Sequence, residues 1–79
     1  MTTAEFIEKD QQWQEESTTY WFEVDGLDNP EGFDYNGIYG VVEGRNAGVV
    51  HEDSDPVLND WIRDQVKRHC IITDEMRDQ

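Results

Sequence analysis

Leu, Ile, Val and Phe together supply only 17 of the 79 residues, so this chain can build one modest core and no more. That fraction lies just above the roughly 20% level at which disorder sets in. What lifts the sequence into the folded class is its nine aromatics, three of them Trp, and its Val and Ile in patterned runs. Aromatic side chains bury large areas and can dominate a small core. The expectation is one small domain, marginally stable, with frayed ends at residues 71–79.

Charge is the second constraint. Nineteen Asp and Glu against six Lys and Arg give a net of −13. The excess is uneven: residues 1–44 hold eleven acids and one base, Lys9, whereas residues 45–79 hold eight acids and five bases. Such an imbalance opposes compaction by self-repulsion and makes contact with free nucleic acid or an anionic membrane unfavourable. A basic protein surface is the natural partner. The single cysteine, Cys70, excludes an internal disulfide and fits a reducing compartment. No stretch has the form of a secretory signal, and none reaches the roughly 18 apolar residues that span a bilayer. A cytoplasmic protein is expected.

Along the chain, Thr2 or Thr3 can cap a helix over residues 3–16, a Gln/Glu-rich run without Gly or Pro. Its apolar stripe is thin, with Phe6, Ile7 and Trp13, while Glu5 and Glu8 share another side. TTYWFEVDG then reads as a strand, with Tyr20, Phe22 and Val24 on one face and Thr19, Trp21, Glu23 and Asp25 on the other. Gly26 to Asn36 is an acidic loop. NGIYGVVEG and the segment Val49 to His51 form two more strands, paired antiparallel across the hairpin loop Gly44 to Gly48. Asp55-Pro56 has the form of an N-cap and first helical position, opening a helix to Cys70. Its apolar face carries Val57, Leu58, Trp61, Ile62, Val66 and Cys70. The sequence leaves open whether residues 71–73 continue that helix or form an edge strand. The order α-β-β-β-α predicts an α+β fold, a small antiparallel sheet of about three strands with an N-terminal and a C-terminal helix.

No constellation carries a reaction convincingly. His51, Asp53 and Asp55 alternate and could ligate Zn²⁺ or Mn²⁺, but the same residues read more simply as a strand end and a helix cap. Asp25, Asp28, Glu31 and Asp34 could attract Ca²⁺, yet they lack the EF-hand spacing. His69 and Cys70 are neighbours pointing about 100° apart on a helix, with no second Cys. No Gly-rich phosphate loop is completed by a Lys-Ser or a helix. Neither an enzyme nor a cofactor is expected.

Acids two apart on a strand, such as Glu23 and Asp25, stand roughly 6.6 Å apart. Acids three apart on a helix, such as Glu5 and Glu8, stand roughly 5–6 Å apart. Duplex DNA carries one charge per roughly 1.7 Å of axis, and sites that hold it are built to neutralise a dense anionic array. The expected partner-binding residues are Glu5, Glu8, Trp21, Glu23, Asp25, Asp28, Glu31 and Asp34. The expected partner is a basic nucleic-acid-binding protein or complex, without direct contact to nucleic acid or membrane. In size, acidity and lack of a catalytic motif the chain resembles the small proteins that bacteriophages encode against host defences, such as anti-CRISPR proteins. The resemblance implies a stoichiometric inhibitor of a nucleic-acid-binding complex, such as a CRISPR surveillance complex, in the host cytoplasm; it transfers no residue role. The other reading is a small structural or regulatory subunit that forms a homodimer and whose acidity is incidental.

Overall fold

A computed structural model describes residues 1–27, 31–32, 34–52 and 58–79. Four strands follow one another in space as in sequence: β1 (Thr3–Gln12), β2 (Ser17–Asp25), β3 (Gly37–Gly44) and β4 (Gly48–His51), all antiparallel. Two helices follow, α1 (Asp60–His69) and the one-turn α2 (Asp74–Arg77). The expected α-β-β-β-α order is thereby overturned: the N-terminal helix is a strand, and the sheet has four strands.

The reason lies in Phe6. On an isolated helix over residues 3–16, Phe6, Ile7 and Trp13 form too narrow a stripe to bury. As an edge strand the same segment bonds along the whole of β2 and sets Phe6 opposite Phe22. The two rings meet edge-on at 5.6 Å, with Tyr20 at 6.4 Å. Tertiary pairing outweighs the helix propensity of Glu, Gln and Lys, which is worth only tenths of a kcal/mol per residue. A β-bulge hides the alternation. Phe6 pairs with Phe22 but Glu8 with Trp21, so Ile7 is an extra residue and the parity of β1 reverses after it. Ala4, Phe6 and Lys9 therefore lie on one face despite their spacing.

That face is the core side. Register places Tyr20, Phe22 and Val24 of β2 beside Tyr39 and Val41 of β3 and Val49 of β4. Tyr39 is fully buried; its hydroxyl donates to the Tyr35 carbonyl, and its ring meets His51 edge-on at 4.5 Å. Helix α1 lies across β3 and β4 and contributes Ile62 and Val66, with its C-cap Cys70 four residues further on the same stripe. Trp61, expected as core, is only partly buried and rests on Tyr35, ring centroids 5.5 Å apart.

The helix is shorter than residues 56–70. Asn59 caps it, its side chain accepting from the Ile62 N–H at 2.9 Å, and the Cys70 N–H closes the last turn onto the Val66 carbonyl at 2.8 Å. The expected Asp55-Pro56 cap lies outside the described residues. Residues 71–73 are neither strand nor helix. Beyond them the tail expected to fray holds α2, capped by Thr73 and tied across the sheet. Arg77 grips Glu43 of β3 through Nε and Nη2 at 3.1 and 2.9 Å, and Lys9 of β1 donates to the Arg77 carbonyl at 2.8 Å. The β3–β4 hairpin turns through Gly44 and Asn46, both at positive φ. A Cβ at Gly44 would stand 2.5 Å from the Glu16 carbonyl oxygen, so that close approach of two turns requires glycine.

Candidate functional site

Both helices lie on one side of the sheet. The other side carries, by register, Thr3, Glu5, Glu8, Asp10 and Gln12 of β1 against Asp25, Glu23, Trp21, Thr19 and Ser17 of β2. Next come Ile38, Gly40 and Val42 of β3, and Val50 of β4. Glu52 continues the alternation, its N–H donating to the Ile38 carbonyl at 3.1 Å. No helix of the described residues packs on this face.

Charge divides between the two sides of the sheet rather than only between the halves of the chain. The open face has carboxylates and, among the described residues, no Lys or Arg. Lys9, the one base of the N-terminal half, is turned to the helix side by the bulge. Arg63, Lys67, Arg68 and Arg77 sit on the helices, and Arg45 sits in the hairpin turn. Most of these cations are already engaged: Arg63 with Asp60 at 3.6 Å, Arg68 with Asp64 at 3.1 Å, and Arg77 with Glu43 and Asp74, each at 2.9 Å. The guanidinium of Arg77 holds the Glu43 carboxyl below the usual value, against a smaller opposing effect of burial.

Of the residues expected to bind a partner, the fold brings Glu5, Glu8, Trp21, Glu23 and Asp25 onto this one face. It does so by a route the sequence hides. In a regular strand residues 5 and 8 would point to opposite sides; the bulge at Ile7 returns Glu8 to the side of Glu5. Glu5 lies directly opposite Glu23, and Glu8 opposite Trp21. Glu31 and Asp34 belong instead to the β2–β3 loop, where the Tyr35 hydroxyl donates to Glu31 at 3.4 Å and Asp34 accepts from the Asn36 N–H at 3.0 Å. Tyr35 is buried against the helix layer, so this part of the loop leans away from the open face. Asp28 lies outside the described residues.

Sequence reasoning passed over Asp10, Ile7, Ile38, Val42 and Val50. The signal was weak because β3 and β4 carry apolar residues on both faces, and period-two alternation then marks no core side. It also passed over Trp13, 78% exposed in the 3₁₀ turn that joins β1 to β2. Trp13 borders a hollow of about 300 Å³ with Gln11, Gln12, Glu16, Ser17 and Thr18. That lining offers amides, hydroxyls and one carboxylate.

The metal triad cannot be traced, since Asp53 and Asp55 lie outside the described residues; His51 packs against Tyr39. Among the described residues no group of three or more His, Cys, Asp or Glu could hold a metal ion. Cys70 is buried, and burial pushes its thiol up to about 12, so it is a poor nucleophile at neutral pH. No helix of the described residues is long and apolar enough to cross a membrane. No family model matches the chain, and neither does any curated protein or solved structure.

Proposed function

We propose that this chain is a non-enzymatic, acidic binding protein that occupies a basic, nucleic-acid-binding site on a partner protein and inhibits it. The observation that carries the reading is the partition of charge about the sheet. One face collects Glu5, Glu8, Asp10, Glu23, Asp25 and Glu52 with no cation among them, while the described bases lie on the helix side, most of them engaged there, or sit in a turn. Acids stand on the helix side too, but there Asp60, Asp64, Asp74 and Glu43 face arginines, whereas the open face keeps its carboxylates and, among the described residues, no base. A face whose charges are all of one sign matches a partner built to hold a polyanion, and it speeds encounter in a salt-dependent manner. Inhibition of a CRISPR-type or other nucleic-acid-binding complex follows as the use of such a mimic.

The test is competition. The chain is immobilised, basic proteins are captured from a lysate, and each is titrated with labelled DNA and RNA with and without this protein. Loss of nucleic-acid binding, with an affinity that falls steeply as salt rises, is the expected result. A stable complex that still binds nucleic acid in full overturns mimicry. Self-association without any captured partner supports the homodimeric subunit instead.

A further inference from the structure

The open face has an apolar centre as well as an acidic rim. At its middle, β3 carries no side chain at Gly40, and three neighbours close over the gap. A Cβ there would lie 2.6 Å from Thr19 Cγ2, 2.9 Å from Val50 Cγ2 and 3.0 Å from Trp21 Cζ3. The six-membered ring of Trp21 therefore leans across β3 toward Val50. Ile38 and Val42 flank Gly40 two residues away on the same face, and the bulge sets Ile7 next to Glu8, the register partner of Trp21. Trp21, Ile38 and Val42 are half-buried, whereas Ile7 and Val50 remain 46% and 40% exposed.

Extending the proposed acidic-binder reading, on which it rests, we infer that this face docks an arginine-bearing segment of the partner protein. One guanidinium lies on Trp21, with Glu23 two residues along the same strand face, and further cations of the segment meet Glu5 and Glu8 on β1. Charge complementarity chooses the occupant. A second copy laid face to face would set one field of carboxylates against another. A purely apolar segment would strip water from the rim acids without pairing them, which is costly. Lysine supplies a point charge, whereas the planar guanidinium stacks on an indole while forking to a carboxylate. Glu5 and Glu23, like charges directly opposite on neighbouring strands, repel in the free chain and are relieved by one bridging cation.

The experiment uses the full chain with two labelled probes of equal charge, nona-arginine and nona-lysine, followed by fluorescence anisotropy at low salt. Nona-arginine should bind about threefold more tightly, the size of an exposed cation–π contact. Trp21→Leu should abolish that preference, Trp13→Leu should keep it, and the double variant Glu5→Gln/Glu23→Gln should weaken both peptides. In the unaltered ¹⁵N-labelled protein, the indole N–H resonance of Trp21 should shift on titration with nona-arginine while that of Trp13 stays. Equal binding of both peptides, a preference that survives Trp21→Leu, or a shift confined to Trp13 overturns the assignment of this face. In those cases salt-sensitive binding of the peptides still leaves the acidic-binder reading standing. If neither peptide binds at low salt, both readings fall together.

Discussion

Ile62 and Trp61 are adjacent in sequence but differ in what they hold together. Ile62 is fully buried between α1 and the sheet, whereas Trp61 is partly exposed and touches Tyr35. Ile62→Ala should cost about 2–5 kcal/mol, enough to unfold a large fraction of a domain this small, and Trp61→Ala should cost less. Cys70 provides the readout. Its buried thiol should resist alkylation at pH 8 in the parent and react quickly in Ile62→Ala; equal labelling of the two would place α1 wrongly. Gly40 is the second sensitive residue. The Cβ of Gly40→Ala must displace Thr19, Val50 or Trp21, two of them stiff β-branched side chains. Overpacking of this kind costs about 1–3 kcal/mol, readable as a lower denaturant midpoint with an unchanged slope. No loss of stability would mean that Thr19, Val50 and Trp21 do not close over Gly40.

At the scale of elements, the bulge in β1 and the fork that holds α2 are the two devices to test. Deleting Ile7 removes the extra residue and leaves the Glu8–Trp21 and Lys9–Tyr20 pairs in register. That deletion should therefore fold and melt cooperatively within a few degrees of the parent. A one-residue deletion in the regular β2 strand should not, because it sends a whole run of side chains to the wrong face. Unfolding of the Ile7 deletion would show that the bulge is needed for more than parity. The fork from Arg77 lowers the folded pKa of Glu43 below its ordinary 4.5. A carboxyl depressed on folding contributes stability that is present above its unfolded pKa and lost as pH falls through its folded one. The melting temperature of Glu43→Gln should accordingly lie below the parent's at pH 7, and the gap should close toward pH 3. The effect will be small because the pair is well solvated. A gap that widens in acid would contradict the fork.

For the molecule as a whole, thirteen unbalanced negative charges oppose the compact state, and among the described residues the open face sets no Lys or Arg beside its carboxylates. Added salt screens that repulsion, the Debye length falling from about 10 Å at 0.1 M to about 3 Å at 1 M. Raising sodium chloride to about 0.5 M should stabilise the free chain by several degrees, since about 1 kcal/mol shifts a domain of this size by roughly 4–8 °C. The same salt should weaken capture of a basic partner, so stability and affinity should move in opposite directions. A melting temperature indifferent to salt would show that the carboxylates are too far apart to repel. The want of a base on the open face, among the described residues, would then lose its physical consequence.

Local patterning carried the three strands from Thr18 onward, the β3–β4 hairpin and the apolar stripe of α1, because each is written in residues a few positions apart. Tyr20, Phe22 and Val24 alternate, Gly44 to Gly48 turn, and Ile62, Val66 and Cys70 recur every four. Composition likewise marked the N-terminal half as acidic, and five of the residues expected there to meet a partner share one face. The state of residues 3–12 was decided elsewhere. Their helix propensity is real but small, and β2, beginning at Ser17, offers an edge to be paired and, sixteen residues beyond Phe6, a Phe to be met. The bulge at Ile7 depends on that pairing too, and with it the return of Glu8 to the side of Glu5 and the removal of Lys9 to the other. Parity after a bulge is a property of two strands together, so no reading of one strand alone could have sorted the charges between the two faces.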